Sequence, residues 1–122
     1  MDPVRDDDGE GYLKFIRTAI PHFRPAQVGG IVTCRLEKWR SETEAWLRKH
    51  NIEFGSLTMM QYPTAVARRK AGNYGKWKGT VFAGSEAPLF IESSVRQARN
   101  IHAVAKKPVV CTETMEIFGG VK

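Results

Sequence analysis

Aspartate is missing from nearly the whole chain. Among 122 residues only Asp2, Asp6, Asp7 and Asp8 are aspartates, and residues 9–122 contain none. No apolar run precedes any of the four, so none stands where a strand end would present it as a nucleophile or metal ligand. Cysteine is almost as scarce. Cys34 and Cys111 form no CxxC pair and no zinc-ligand spacing. Each closes a short β-branched run, Ile31-Val32-Thr33 and Val109-Val110, where a buried reduced thiol is expected. With His22, His50 and His102 scattered singly, a zinc site is not expected. Long hydrophobic runs are absent too, which excludes a bilayer-spanning helix and predicts no membrane partner. The opening Met1-Asp2-Pro3 stays acidic and reads as neither signal nor transit peptide, so the expected compartment is the cytoplasm. There are no internal repeats and no low-complexity linker.

What is present fits one small domain over residues 1–122, led in by an acidic stretch at 1–8. At 42% hydrophobic residues the chain can bury a core and is too apolar to be disordered. The charge is lopsided. Residues 1–10 set Arg5 against Asp2, Asp6, Asp7, Asp8 and Glu10; with +6 overall, the remainder carries +10. A basic body suits an anionic partner such as a phosphate ester, a nucleotide or nucleic acid, and equally suits a solvated basic surface.

The hydrophobic periodicity predicts alternating elements. Tyr12, Phe15, Ile16 and Ala19 share a helical face over 9–20, closed by Pro21 and followed by a loop at 22–27. Gly29-Gly30 then precede a buried strand at 31–34. The strongest helix is predicted over 36–50, with Leu36, Trp39, Thr43, Trp46, Leu47 and His50 on one stripe and Asn51 as its stop. A second strand follows at 52–60, then helices at 63–70 and 76–83, the latter bounded by Gly75 and Gly84. Leu89-Phe90-Ile91 reads as a third strand ending in Glu92. Ser94 and Gln97 make a capping-box pattern for the next helix, whose inner face carries Val95, Ala98, Ile101, His102 and Ala105. Pro108 ends it, and 109–111 is a fourth strand. Strands and helices alternating at this spacing predict an α/β fold, a doubly wound parallel sheet in three layers.

In such a sheet ligands sit beyond the carboxyl ends of the strands. Thr33, followed by Cys34 and Arg35, lies there on the first strand, and Glu92, followed by Ser93 and Ser94, on the third. Thr112 and Glu113 follow the fourth. Lys76 and Lys78 stand near the start of a helix between them. A hydroxyl and a lysine can bind phosphate oxygens and offset developing charge, and a carboxylate can hold Mg2+. Each has a plainer reading as well: a β-branched strand residue for Thr33, solvated surface for the lysines, a helix-start carboxylate for Glu92.

The stretches IVTCRLEKWRSETEAWLRKHNI (31–52), GKWKGTVF (75–82) and LFIESSVRQARNI (89–101), together with DDDGEGYLKFIRTAIP (6–21), resemble the haloacid-dehalogenase superfamily. The branch they are most similar to is the small acid-phosphatase-like one, whose domain often accompanies a phosphoribosyltransferase. The resemblance implies a Rossmann-type sheet. It implies that Thr33 with Arg35, and Lys78 with Lys76 as the alternative, bind the phosphoryl group of a phosphorylated small molecule, and that Glu92 binds Mg2+. It also implies a phosphoribosyltransferase as a possible partner. The chain departs from the family at Ser93, where a second acid is usual, and in lacking the Asp-x-Asp strand that supplies the nucleophile. The chain is therefore expected to hold no catalytic nucleophile and to lack the first central strand. It is expected to act as an N-terminally truncated phosphatase or phosphotransferase domain, inactive alone and hydrolysing a phosphomonoester if that strand is supplied. The exposed strand edges left by the omission predict a homodimer. The alternatives are a non-catalytic binding or assembly module, or a nucleic-acid-binding domain using Arg68, Arg69, Lys70, Lys76 and Lys78 with Tyr74 and Trp77 as stacking groups.

Overall fold

The computed structural model describes residues 9, 10, 13, 14, 16 and 28–119. The acidic lead-in at 1–8 and the loop at 22–27 lie outside the described residues, as do Tyr12, Phe15 and Ala19 of the expected first helix. Glu10, Leu13, Lys14 and Ile16 are helical, the Leu13 N–H donates to the Gly9 carbonyl at 3.1 Å, and Ile16 is fully buried. The chain is mixed α/β, with a small parallel sheet and a small mixed one. It divides into two compact units at Gly72/Asn73. Among the described residues no helix is long and apolar enough to cross a membrane.

In the first unit, strand β1 (Val28–Leu36) pairs in parallel with β2 (Phe54–Met60). Between them come a 3-10 turn (Glu37–Trp39) and helix α1 (Arg40–Lys49). The buried side of α1 and the two strands share a core of Leu47, Ile52, Leu57 and Met59, with Ile31, Trp46 and Phe54 packed against it. Asn51 ends the helical stretch in the left-handed region (φ 57°), which asparagine tolerates better than most residues. Arg40 ties helix to strand. Its guanidinium bonds Glu37 and Glu44 and donates to the Leu57 carbonyl at 2.7 Å. The Glu37 hydrogen bond is the main cause that holds the Arg40 pKa above its ordinary value. Helix α2 (Ala65–Ala71) is capped by Thr64, whose hydroxyl accepts the Ala67 N–H at 3.1 Å.

Several boundaries here differ from expectation: β2 begins at Phe54 rather than 52 and α2 at Ala65 rather than 63. β1 begins at Val28, because Gly29 and Gly30 belong to the ladder rather than to a turn before it; Val28 and Gly30 pair with Phe54 and Ser56. The strands approach closely at Gly55, where an added Cβ would lie 2.5 Å from the Gly29 carbonyl oxygen. Leu36, expected to start the helix, is the buried last residue of β1. Its apolar side chain fits either periodicity.

In the second unit, α3 (Tyr74–Ala83) and α4 (Val95–Ala105) pack on a sheet of three strands in the order β3 (Phe90–Glu92), β4 (Val109–Cys111) and β5 (Glu116–Phe118). β3 and β4 are parallel, and β5 runs antiparallel to β4. Phe82, Ala98, Ile101, Val109 and Cys111 form the buried cluster, joined by Phe90 and Phe118. Gly75, expected as a helix boundary, lies inside α3. A Cβ there would come within 2.7 Å of Asn100 Cβ, and one at Gly79 within 2.8 Å of Val104 Cβ, so the two glycines let α3 lie directly against α4. Ser94 caps α4 as expected, its hydroxyl accepting the Gln97 N–H at 3.2 Å. Lys107 secures the end of α3: its ammonium donates to the Ser85 and Ala87 carbonyls at 2.9 and 2.8 Å and lies 4.2 Å from the Phe82 ring centroid.

Candidate functional site

The residues singled out from the sequence fall in both units, Thr33 and Arg35 in the first and Lys76, Lys78 and Glu92 in the second. Each group is described where it stands.

Thr33 sits at an irregularity in β1. The register runs regularly to Thr33↔Met59 and resumes at Leu36↔Met60, so Cys34 and Arg35 bulge from the ladder. The Thr33 hydroxyl oxygen accepts the Arg35 N–H at 3.2 Å, which leaves its own O–H to donate elsewhere. The Arg35 side chain turns to α1, with a guanidinium nitrogen 3.5 Å from the Thr43 hydroxyl and its carbon 5.8 Å from the Trp46 ring centroid. Arg68, placed by its neighbours in a basic run, is buried and donates to the Cys34 carbonyl at 3.0 Å. The run of three basic residues concealed this role. Its signal was the spacing from the other buried residue of α2, Ala65, three positions earlier. Arg69 and Lys70 are exposed. An open groove of about 480 Å3 along α1, lined by Ser41, Glu42, Ala45, Trp46 and Lys49, includes none of the predicted residues.

In the second unit two of the predicted residues meet. Lys78 Nζ donates to Glu92 Oε1 at 2.8 Å. The side chains are 12% and 7% exposed, so the pair is largely withdrawn from water. Alternation along the three-residue strand explains the approach. Phe90, Val109 and Phe118 form one cross-strand row in the helix-covered core, and Glu92 points the same way two residues on, next to Cys111 in the register. Ile91, Val110 and Ile117 form the row on the other face, with Ile91 45% and Ile117 59% exposed. The second carboxylate oxygen, Glu92 Oε2, accepts the Ser94 N–H at 3.0 Å. The Glu92 carbonyl accepts the Thr112 N–H at 2.9 Å, fixing the backbone as well. Lys76, two residues earlier, is exposed, so the structure separates Lys78 from the lysine that the resemblance left as its alternative. No family model, curated protein or solved structure matches the chain.

The arrangement offers a fixed ammonium with one of its three N–H groups committed to Glu92. It also offers a carboxylate whose two oxygens each have one hydrogen bond and a further lone pair. Among the described residues no group of three or more His, Cys, Asp or Glu side chains gathers as a metal cage would. Glu92 could supply one protein oxygen to Mg2+. That fits the habit of this ion, which usually takes one or two carboxylates and completes its shell with phosphate oxygens and water.

Proposed function

We propose that the chain is the body of a haloacid-dehalogenase-like domain that handles a phosphorylated small molecule, with Lys78 as the oxyanion ligand and Glu92 as the carboxylate beside it. The single observation that carries this reading is the 2.8 Å pair between Lys78 and Glu92, two residues fourteen apart in sequence that the resemblance had assigned to adjacent roles at one phosphate. A three-layer, doubly wound sheet lacking its first central strand belongs to the same proposal, as do a homodimer and a phosphoribosyltransferase partner. Mg2+ at Glu92 would supply charge neutralisation at the phosphate. Lys78 would hold a phosphoryl oxygen, and the Ser94 N–H would keep the Glu92 carboxylate aimed at that spot.

Hydrolysis needs a nucleophile that these residues do not place at a strand end. The 122-residue chain is therefore expected to leave an aryl phosphate intact in the presence of Mg2+. Fusing a hydrophobic strand ending in Asp-x-Asp ahead of residue 1 is expected to give Mg2+-dependent turnover that Lys78→Met abolishes. Turnover by the unfused chain that vanishes when Asp2, Asp6, Asp7 or Asp8 becomes Asn would overturn the missing nucleophile. Full turnover by a folded, fused Lys78→Met variant would overturn the role of Lys78.

A further inference from the structure

Lys78 and Glu92 neutralise each other, and both are held in place. Glu92 is fixed through Ser94 and Thr112, and Lys78 rides on a helix pressed against α4 at Gly75 and Gly79. An oxyanion that approaches the Lys78 ammonium therefore meets a carboxylate already bonded to it. With so little of either side chain exposed, charge interactions there are weakened less by water than on an open surface. Two negative groups then compete for one cation, whose resident partner already lies 2.8 Å away.

We propose that Glu92 is an internal screen for Lys78: the carboxylate occupies the ammonium in the resting protein and keeps its affinity for a free oxyanion low. This rests on reading Lys78 as an oxyanion ligand. Neutralising Glu92 without changing its shape then exposes the full charge of Lys78, with two N–H groups left to donate. The screen predicts a gain of binding from a loss of charge, which a purely structural ion pair does not.

The test is titration of the full chain with inorganic phosphate at low ionic strength, followed by calorimetry, for wild type, Glu92→Gln and Lys78→Met/Glu92→Gln. Glu92→Gln is expected to bind phosphate roughly tenfold or more tightly than wild type, and the double variant to lose that gain. Equal, Lys78-dependent binding by wild type and Glu92→Gln would overturn the screen and leave Lys78 as a ligand. A gain that survives in the double variant would also overturn it. No saturable binding by any of the three would overturn the screen and the oxyanion reading together. If Glu92→Gln proves unfolded, circular dichroism during phosphate addition supplies the readout. Phosphate is then expected to restore the fold in Glu92→Gln and not in the double variant, and failure to restore it overturns the proposal.

Discussion

The Lys78 ammonium nitrogen lies 2.8 Å from Glu92 Oε1, and neither side chain exposes more than 12% of its surface. A pair so placed contributes little net stability, because taking two charges out of water offsets much of their attraction. Its members are nonetheless costly to separate. Lys78→Met, which strands the buried Glu92 carboxylate, is expected to lose up to about 3–5 kcal/mol and Glu92→Gln, which strands the part-buried Lys78, less, while the double variant loses less than Lys78→Met. Urea denaturation of the four proteins closes the cycle. Losses that simply add would show that the two residues do not interact.

Gly79 sets two effects against each other. Alanine is a better helix former than glycine by about 1 kcal/mol. The added Cβ would sit 2.8 Å from Val104 Cβ and 3.1 Å from the Ile101 carbonyl oxygen of the facing helix. Overpacking of this kind costs about 1–3 kcal/mol, so Gly79→Ala is expected to destabilise the fold. Lys76→Ala, on the exposed face of the same helix, should stay within about 0.5 kcal/mol of wild type. A Gly79→Ala variant more stable than wild type in denaturant would contradict the close approach of α3 and α4.

Much of the second unit was legible because its signals are local. Ser94 and Gln97 announce the start of α4, Pro108 its end, and Val109-Val110-Cys111 the strand between that end and the turn. β5 was not legible. Its residues, Glu116–Phe118, set only two apolar side chains after a charged one, with no proline or cap to mark a boundary, and they pair with β4 only after the turn at 112–115. Gly75 misled for a related reason: a glycine that breaks a helix and one that admits a neighbouring helix look the same in one sequence. The Lys78–Glu92 pair was half legible. Residue type and order brought Lys78 and Glu92 together, but that they would bond directly depended on which face of a three-residue strand met α3.

Self-association is expected from the face of the second sheet opposite its helices. Ile91, Val110 and Ile117 lie in one cross-strand row there, and the outer two are about half exposed. An apolar row left open to solvent is surface that association would cover. Sedimentation equilibrium at micromolar concentration is expected to show a dimer that Ile117→Lys weakens. A single well-folded species at 13.7 kDa, independent of concentration, would contradict this.

An oxyanion is expected to bind where Lys78 and Glu92 meet. Two-dimensional amide NMR of the 122-residue chain, titrated with inorganic phosphate in the presence of Mg2+, tests it most directly. Saturable shifts are expected, concentrated on Lys78, Ser93 and Ser94, that disappear in the folded Lys78→Met/Glu92→Gln variant. Shifts centred instead on the exposed Arg69, Lys70 and Lys76, unchanged in that variant, would contradict it.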